Sequence, residues 1–257
     1  MSCIQIIAEV GLNHGGDFEL AKFYVNQLIE TDIDAITFQI REDSFYANEF
    51  ENSKLSIKQY EVLKAMIHKG HKKFGLAICD PDIAKYPEPD FIKILSKDLD
   101  NLDFLSTITN NLGDKPIFLS TGLGSFETIE NALNLISEIR DMANVKIIHT
   151  RLSNSTKHVN LKAILSMKER FGNIVAFGNH CFNPSVLLSA VAYEPTDVYF
   201  YVKHKIGPQD NNFKHPDDLH AVYLQSVQEL CCNLWDCQVS LGTGTKEDNI
   251  NNIEGQK

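Results

Sequence analysis

Eight short apolar runs, separated by helical stretches, limit what this chain can fold into. The runs are Ile4–Ala8, Ala35–Gln39, Phe74–Ile78, Phe91–Leu95, Pro116–Ser120, Val145–His149, Ile174–Phe177 and Val198–Lys203. Each is long enough for a strand buried on both faces and too short for a typical helix. Between them, Leu20–Ile29 spaces its apolar residues at three and four. Ser125 is a good N-cap, and Phe126, Ile129, Leu133 and Ile136 follow along one face. Leu161–Phe171, Pro184–Tyr193 and Asp217–Trp235 complete the helical pattern. Eight strands alternating with helices predict an α/β fold, a (β/α)8 TIM barrel in a single domain. An open doubly wound sheet is the alternative.

Composition agrees with that scale. The chain has 257 residues, 43% of them hydrophobic, which is enough for one sizeable core. A net charge of −10 lacks the field that concentrates nucleic acid or anionic lipid, so neither is expected as a partner, although a local basic pocket stays open. No apolar run reaches the roughly 18 residues of a membrane span. The opening MSCIQIIAEV shows neither a charged leader region nor a cleavage site. The six cysteines form no CxxC pair, and Cys231 and Cys232 are adjacent, so reduced thiols and a cytoplasmic location are expected. Residues 1–241 read as the barrel, and Gly242–Lys257 as a polar, fraying tail.

In barrels of this kind the working groups sit where strands end. The first exit offers Glu9, Asn13 and His14, and the second Gln39 and Arg41. The third gives Asp80, and the fourth Lys93, Ser96, Asp98 and Asn101. Ser120 and Thr121 follow the fifth, and His149 and Arg151 the sixth. Asn179 and His180 follow the seventh; Lys203 and His204, with Asp210 beyond them, follow the eighth. Any one of these can close a loop by bonding backbone. Together they are more than a purely structural barrel needs at one mouth.

The segment IIAEVGLNHGG resembles the first strand and loop of the sialic acid synthase family, the N-acetylneuraminate, legionaminate and pseudaminate synthases. DAITFQ, FIKILSKDLDN, DKPIFLSTGLGSFETIENAL, IIHT, AFGNHC and VKHKIGPQD are similar to later family motifs, in the same order. The resemblance implies a (β/α)8 barrel that condenses phosphoenolpyruvate with an N-acetylmannosamine-type sugar in surface-glycan biosynthesis. It implies a divalent metal as cofactor, usually manganese, with magnesium or cobalt as alternatives. It carries the metal imidazoles to His180 and His204, and catalytic roles to Glu9 and Lys93. It carries substrate contacts to Gln39, Ser96, Asp98 and Asp210, with Asn13 and His14 shaping the first loop. It also implies a C-terminal antifreeze-like domain, which is not expected within these residues, so a homodimer or a separate partner chain could complete the mouth.

Several positions depart from the family pattern. Thr37 replaces a lysine, Asp80 a threonine, Leu152 an asparagine, Gly178 a serine, Asn179 an aspartate and Val202 a glutamate. The losses fall on the phosphate-binding positions, and Arg41 and Arg151 are the cations placed to compensate. Two alternatives to the condensation therefore stay open: a barrel that binds a sugar or a partner without catalysis, and a condensation with a non-phosphorylated donor.

Overall fold

The structure, a computed structural model, describes residues 3–47, 50, 53–82, 86–205 and 216–245. All eight expected strands form. They are β1 (Gln5–Gly11), β2 (Ala35–Ile40), β3 (Lys73–Ile78), β4 (Phe91–Ile94), β5 (Ile117–Ser120), β6 (Val145–His149), β7 (Val175–Gly178) and β8 (Asp197–Lys203). Neighbours pair in parallel in chain order, and β1 pairs with β8, which closes the barrel. The open-sheet alternative is thereby excluded. A two-residue strand, β9 (Val222–Tyr223), extends the ladder beside the exit of β8.

The helices are α1 (Phe18–Leu28), α2 (Asp43–Tyr46), α3 (Ile57–Lys69), α4 (Leu102–Asn111), α5 (Phe126–Ile139), α6 (Ala163–Phe171), α7 (Ser185–Val191) and α8 (Val227–Ser240). Ser125 caps α5 as expected, its side chain accepting from the Thr128 amide. One helix differs from expectation. The stretch from Asp217 does not start a helix, because it first makes a short turn and β9, and α8 begins only at Val227.

Strand alternation sorts the side chains into two sets. Ile7, Ala35, Phe91, Phe118, Ile148, Ala176 and Tyr199 pack together inside the barrel. Their neighbours along the strands, such as Ile36, Leu76, Ile147 and Phe200, pack outward in the larger cluster with the helices. Each such fully buried side chain contributes about 1.5–3 kcal/mol relative to exposure. The same alternation decides which polar residues near the exits can reach the mouth.

Candidate active site

Glu9 and Lys93 carry the centre of the mouth. Both project inward, in the layer above Ile7 and Phe91. Lys93 Nζ donates to Glu9 Oε2, with side-chain exposures of only 6% and 1%. The second carboxylate oxygen, Glu9 Oε1, is buried and has no hydrogen-bond partner. The Thr37, Thr150 and Tyr199 hydroxyls are also buried without partners. Buried polar atoms are normally satisfied, so these four stand out on the inner side of the barrel, although none of their residues lines the cavity at the mouth. A cavity of about 330 Å3 opens at Lys93, which lines it together with Gln39, Arg41, Ser96, His180, Tyr201 and Asp217, among others; Glu9 lies behind Lys93 and does not line it. That size suits a small ligand.

The first loop shows why its motif is needed. Gly11 has a φ of +56°, and a Cβ there would stand 3.0 Å from the Tyr201 ring. The pairing register of β1 shifts between Glu9 and Gly11, so a bulge turns the chain away immediately past the carboxylate. Asn13 then bridges two elements. Its Nδ2 donates to the Val202 carbonyl at 2.8 Å, and its Oδ1 accepts from the Asp217 amide at 3.0 Å. Asn13 therefore fixes where Asp217 enters the mouth. His14 is fully buried, accepts from the Gly16 amide at 3.0 Å, and packs against Phe38. Burial pushes its pKa down to about 4, so the ring is neutral, and its Nε2 is buried without a hydrogen-bond partner.

Asp217 and His220 were not among the residues expected from sequence, because they lie well past the exit of β8. Burial, and next the charge of Glu9, push the Asp217 carboxyl up to about 7. His220 packs against His180, with ring centroids 4.6 Å apart, and its Nε2 lies 3.6 Å from Asp217 Oδ1. Burial lowers His180 to about 3 and His220 to about 4, so both rings are neutral.

The remaining expected residues divide. Gln39 lines the cavity and is buried. Ser96 lines it too, its Oγ accepting from the Gly122 amide at 3.0 Å. Arg41 reaches the cavity, but it holds Glu42 through two hydrogen bonds and lies over the Phe45 ring at 4.1 Å. Asp98 is buried beside Lys97, and burial raises its pKa. Arg151 is exposed and lines a separate small cavity with His149 and Asn160, so it does not supply the compensating charge expected of it. Asp80 accepts from the Asp82 amide at 3.0 Å. Asp210 lies outside the described residues. Four exposed apolar side chains, Leu123, Leu152, Phe182 and Leu219, stand on the loops around the mouth.

A NeuB family model matches residues 18–246. The chain belongs to the NeuB family. The N,N'-diacetyllegionaminic acid synthase of Campylobacter jejuni is 28% identical, over 94% of this chain and 78% of that protein. The pseudaminic acid synthase of the same strain is 23% identical, over 93% of this chain and 77% of that protein. An N-acetylneuraminic acid synthetase from Leptospira borgpetersenii, solved with citrate, superimposes with a TM-score of 0.85 at 22% identity, covering 97% of this chain and 88% of that one. That likeness shows the same barrel.

One expected feature of the NeuB pattern does not fit this chain. In β8, Tyr199 faces inward, so Val202 and His204 fall on the outer face. His204 accordingly meets Tyr24 of α1, with Nδ1 3.2 Å from the Tyr24 hydroxyl, while its own backbone N–H donates to that hydroxyl at 2.9 Å. The ring facing His180 is His220. Among the described residues, no three histidine, cysteine or acidic side chains converge to hold a metal ion. The pair His180 and His204 therefore does not fit a shared ion in this geometry.

Proposed function

We propose that this NeuB protein joins phosphoenolpyruvate to a 2-acetamido sugar of the N-acetylmannosamine type, giving a nine-carbon 2-keto sugar acid and phosphate. The observation that carries the proposal is the ligand-sized cavity at the mouth, lined by Lys93, His180 and Asp217, with Glu9 buried against Lys93 behind its wall. In this reaction carbon 3 of phosphoenolpyruvate bonds to the aldehyde carbon, and the aldehyde oxygen takes a proton. Water adds at carbon 2 and loses a proton. The carbon–oxygen bond to phosphate then breaks and leaves the ketone.

The side chains present match those needs. Asp217, with its carboxyl near 7, holds a proton to give to the aldehyde oxygen. Glu9, paired with Lys93 and close to the Tyr201 hydroxyl, is the base assigned to the proton of the attacking water. Lys93 supplies the positive charge that draws the carboxylate or phosphate of phosphoenolpyruvate inward. Gln39 and Ser96 offer polar contacts on the cavity wall, and Arg41 adds charge at its edge, tempered by Glu42. Exclusion of water below Lys93 strengthens these interactions.

A second reading is a barrel that binds the sugar and no longer condenses it. It is favoured by Thr37, whose inward hydroxyl stands where the resemblance implies a lysine, and by the Glu42 carboxylate that engages Arg41. One assay separates the two. The protein is incubated with phosphoenolpyruvate and several 2-acetamido hexoses, with and without manganese, and phosphate release and product mass are followed. Condensation gives equal amounts of phosphate and of a product heavier than the sugar by the pyruvate unit. Sugar binding with no phosphate released would establish the binding barrel instead.

A further inference from the structure

We propose a second ligand site at the opposite end of the barrel, which takes a small planar, largely apolar acid. A cavity of about 630 Å3 opens among the strand starts, nearly twice the volume of the one at the mouth. This end of a barrel ordinarily serves stability and is filled with side chains. Here it is left open over an aromatic floor.

The floor is Phe91 and Phe118, with ring centroids 5.3 Å apart in a T-shaped contact. Gly75 of β3 makes it possible. A Cβ at that position would stand 2.3 Å from the Phe91 ring, so the ring occupies the space a side chain would fill and lies close against the strand. The ring that might have plugged the barrel becomes one face of the cavity. Planar apolar groups pack favourably against such a pair.

The rim decides the charge of the occupant. Its three carboxylates keep their charge and match three lysines in number, but each is already held by a partner, Asp90 by His68 as well as by backbone. Asp34 accepts from the Ile6 amide at 2.7 Å, Asp90 from the Phe74 amide at 2.7 Å, and Asp197 pairs with Lys146 at 2.6 Å. Lys72 and Lys73 also border the cavity and form no ion pair among the described residues, leaving two ammonium groups ready for an anion. A pocket with an apolar floor and a few convergent polar groups is the usual form of a small-molecule site. Phe118 further packs on Tyr199 at 5.4 Å, and Lys93 Nζ lies 5.3 Å from the Tyr199 ring. The occupant would thus sit one aromatic layer below the catalytic lysine.

The test uses 1-naphthoate as a probe, with 1-naphthalenemethanol as its uncharged counterpart. Titration calorimetry and thermal melting are run on the wild type, on Lys72→Glu/Lys73→Glu, and on Lys58→Glu, an exposed position on α3. The expected result is saturable binding of one 1-naphthoate per chain and a raised melting temperature. The alcohol should bind at least tenfold more weakly. The double charge reversal should weaken 1-naphthoate at least tenfold, with Lys58→Glu unchanged. Neither lysine is buried, so the double variant should fold, and its circular dichroism confirms that. No binding at millimolar probe, equal affinity for the alcohol, or equal affinity of the double variant would each overturn the proposal.

Discussion

Two lysine–carboxylate pairs face the inside of this barrel, one near each end, and they are built differently. At the lower end Lys146 meets Asp197 at 2.6 Å, and Asp197 Oδ2 also accepts from the Thr196 hydroxyl at 2.6 Å. The Lys146 side chain is 30% exposed, so water shares its charge. At the mouth Lys93 and Glu9 are both enclosed, Glu9 Oε1 has no partner, and the hydroxyls of Thr37 and Tyr199 are likewise unsatisfied. At the lower pair the carboxylate has two partners within the chain and the ammonium is shared with water, whereas the upper pair is enclosed and leaves Glu9 Oε1 unbonded. A barrel uses the same two residue types for holding its strands and for receiving a substrate, and the difference is visible in what is left unbonded.

The largest effect expected from breaking this contrast is on stability at the upper pair. Lys93→Met leaves an uncompensated buried carboxylate and should lower unfolding free energy by about 3–5 kcal/mol in urea titrations. Adding Glu9→Gln should recover part of that loss. Failure to recover any of it would mean that the carboxylate is not the source of the penalty.

Asp217→Asn comes next. It should lower kcat/KM for the condensation by about 100-fold or more, since it removes the proposed proton donor. The wild-type rate should fall as pH rises through about 7. Stability carries the same sign. Asp217 holds its proton more tightly folded than unfolded, so its contribution is full below about 4 and is lost as pH rises to about 7. The depressed imidazoles of His14, His180 and His220 act oppositely below their ordinary value. The measurement is therefore the difference between wild type and Asp217→Asn, which should shrink with rising pH. A difference that is flat between pH 4 and 7 would contradict the raised carboxyl.

The smaller effects concern residues turned away from the mouth. Lys146→Met leaves the buried Asp197 carboxylate with the Thr196 hydroxyl and should cost about 1–3 kcal/mol, without altering turnover. His204→Phe should cost about 1 kcal/mol through the lost contact with Tyr24, and leave kcat within twofold of wild type. A large loss of turnover in His204→Phe would show that the imidazole works inside the mouth after all.

Much of this was legible in the chain itself. The apolar runs gave all eight strands within a residue or two at most ends, because buried parallel strands leave little room for other patterns. Glu9, Gln39, Ser96, Lys93 and His180 could be placed at the mouth from strand exits alone. His204 could not, because adjacent residues on a strand point to opposite sides, and position near an exit does not say which. Counting forward from Tyr199, which the structure shows facing inward, places it outside. Asp217 and His220 escaped because they arrive from beyond the exit of β8 and are positioned by Asn13 and by β9, contacts far apart in sequence. Asn101, read as one more polar group at an exit, caps α4 by accepting from the Phe104 amide at 3.1 Å.

Calorimetric titration of phosphoenolpyruvate into the wild type, Lys93→Met and Lys146→Met tests the central contrast most directly. The wild type should bind, Lys146→Met should bind with unchanged affinity, and Lys93→Met, at a temperature where it remains folded, should lose at least 30-fold. Equal binding by Lys93→Met and wild type, or an equal loss in both variants, would contradict the assignment of the upper pair as the substrate site.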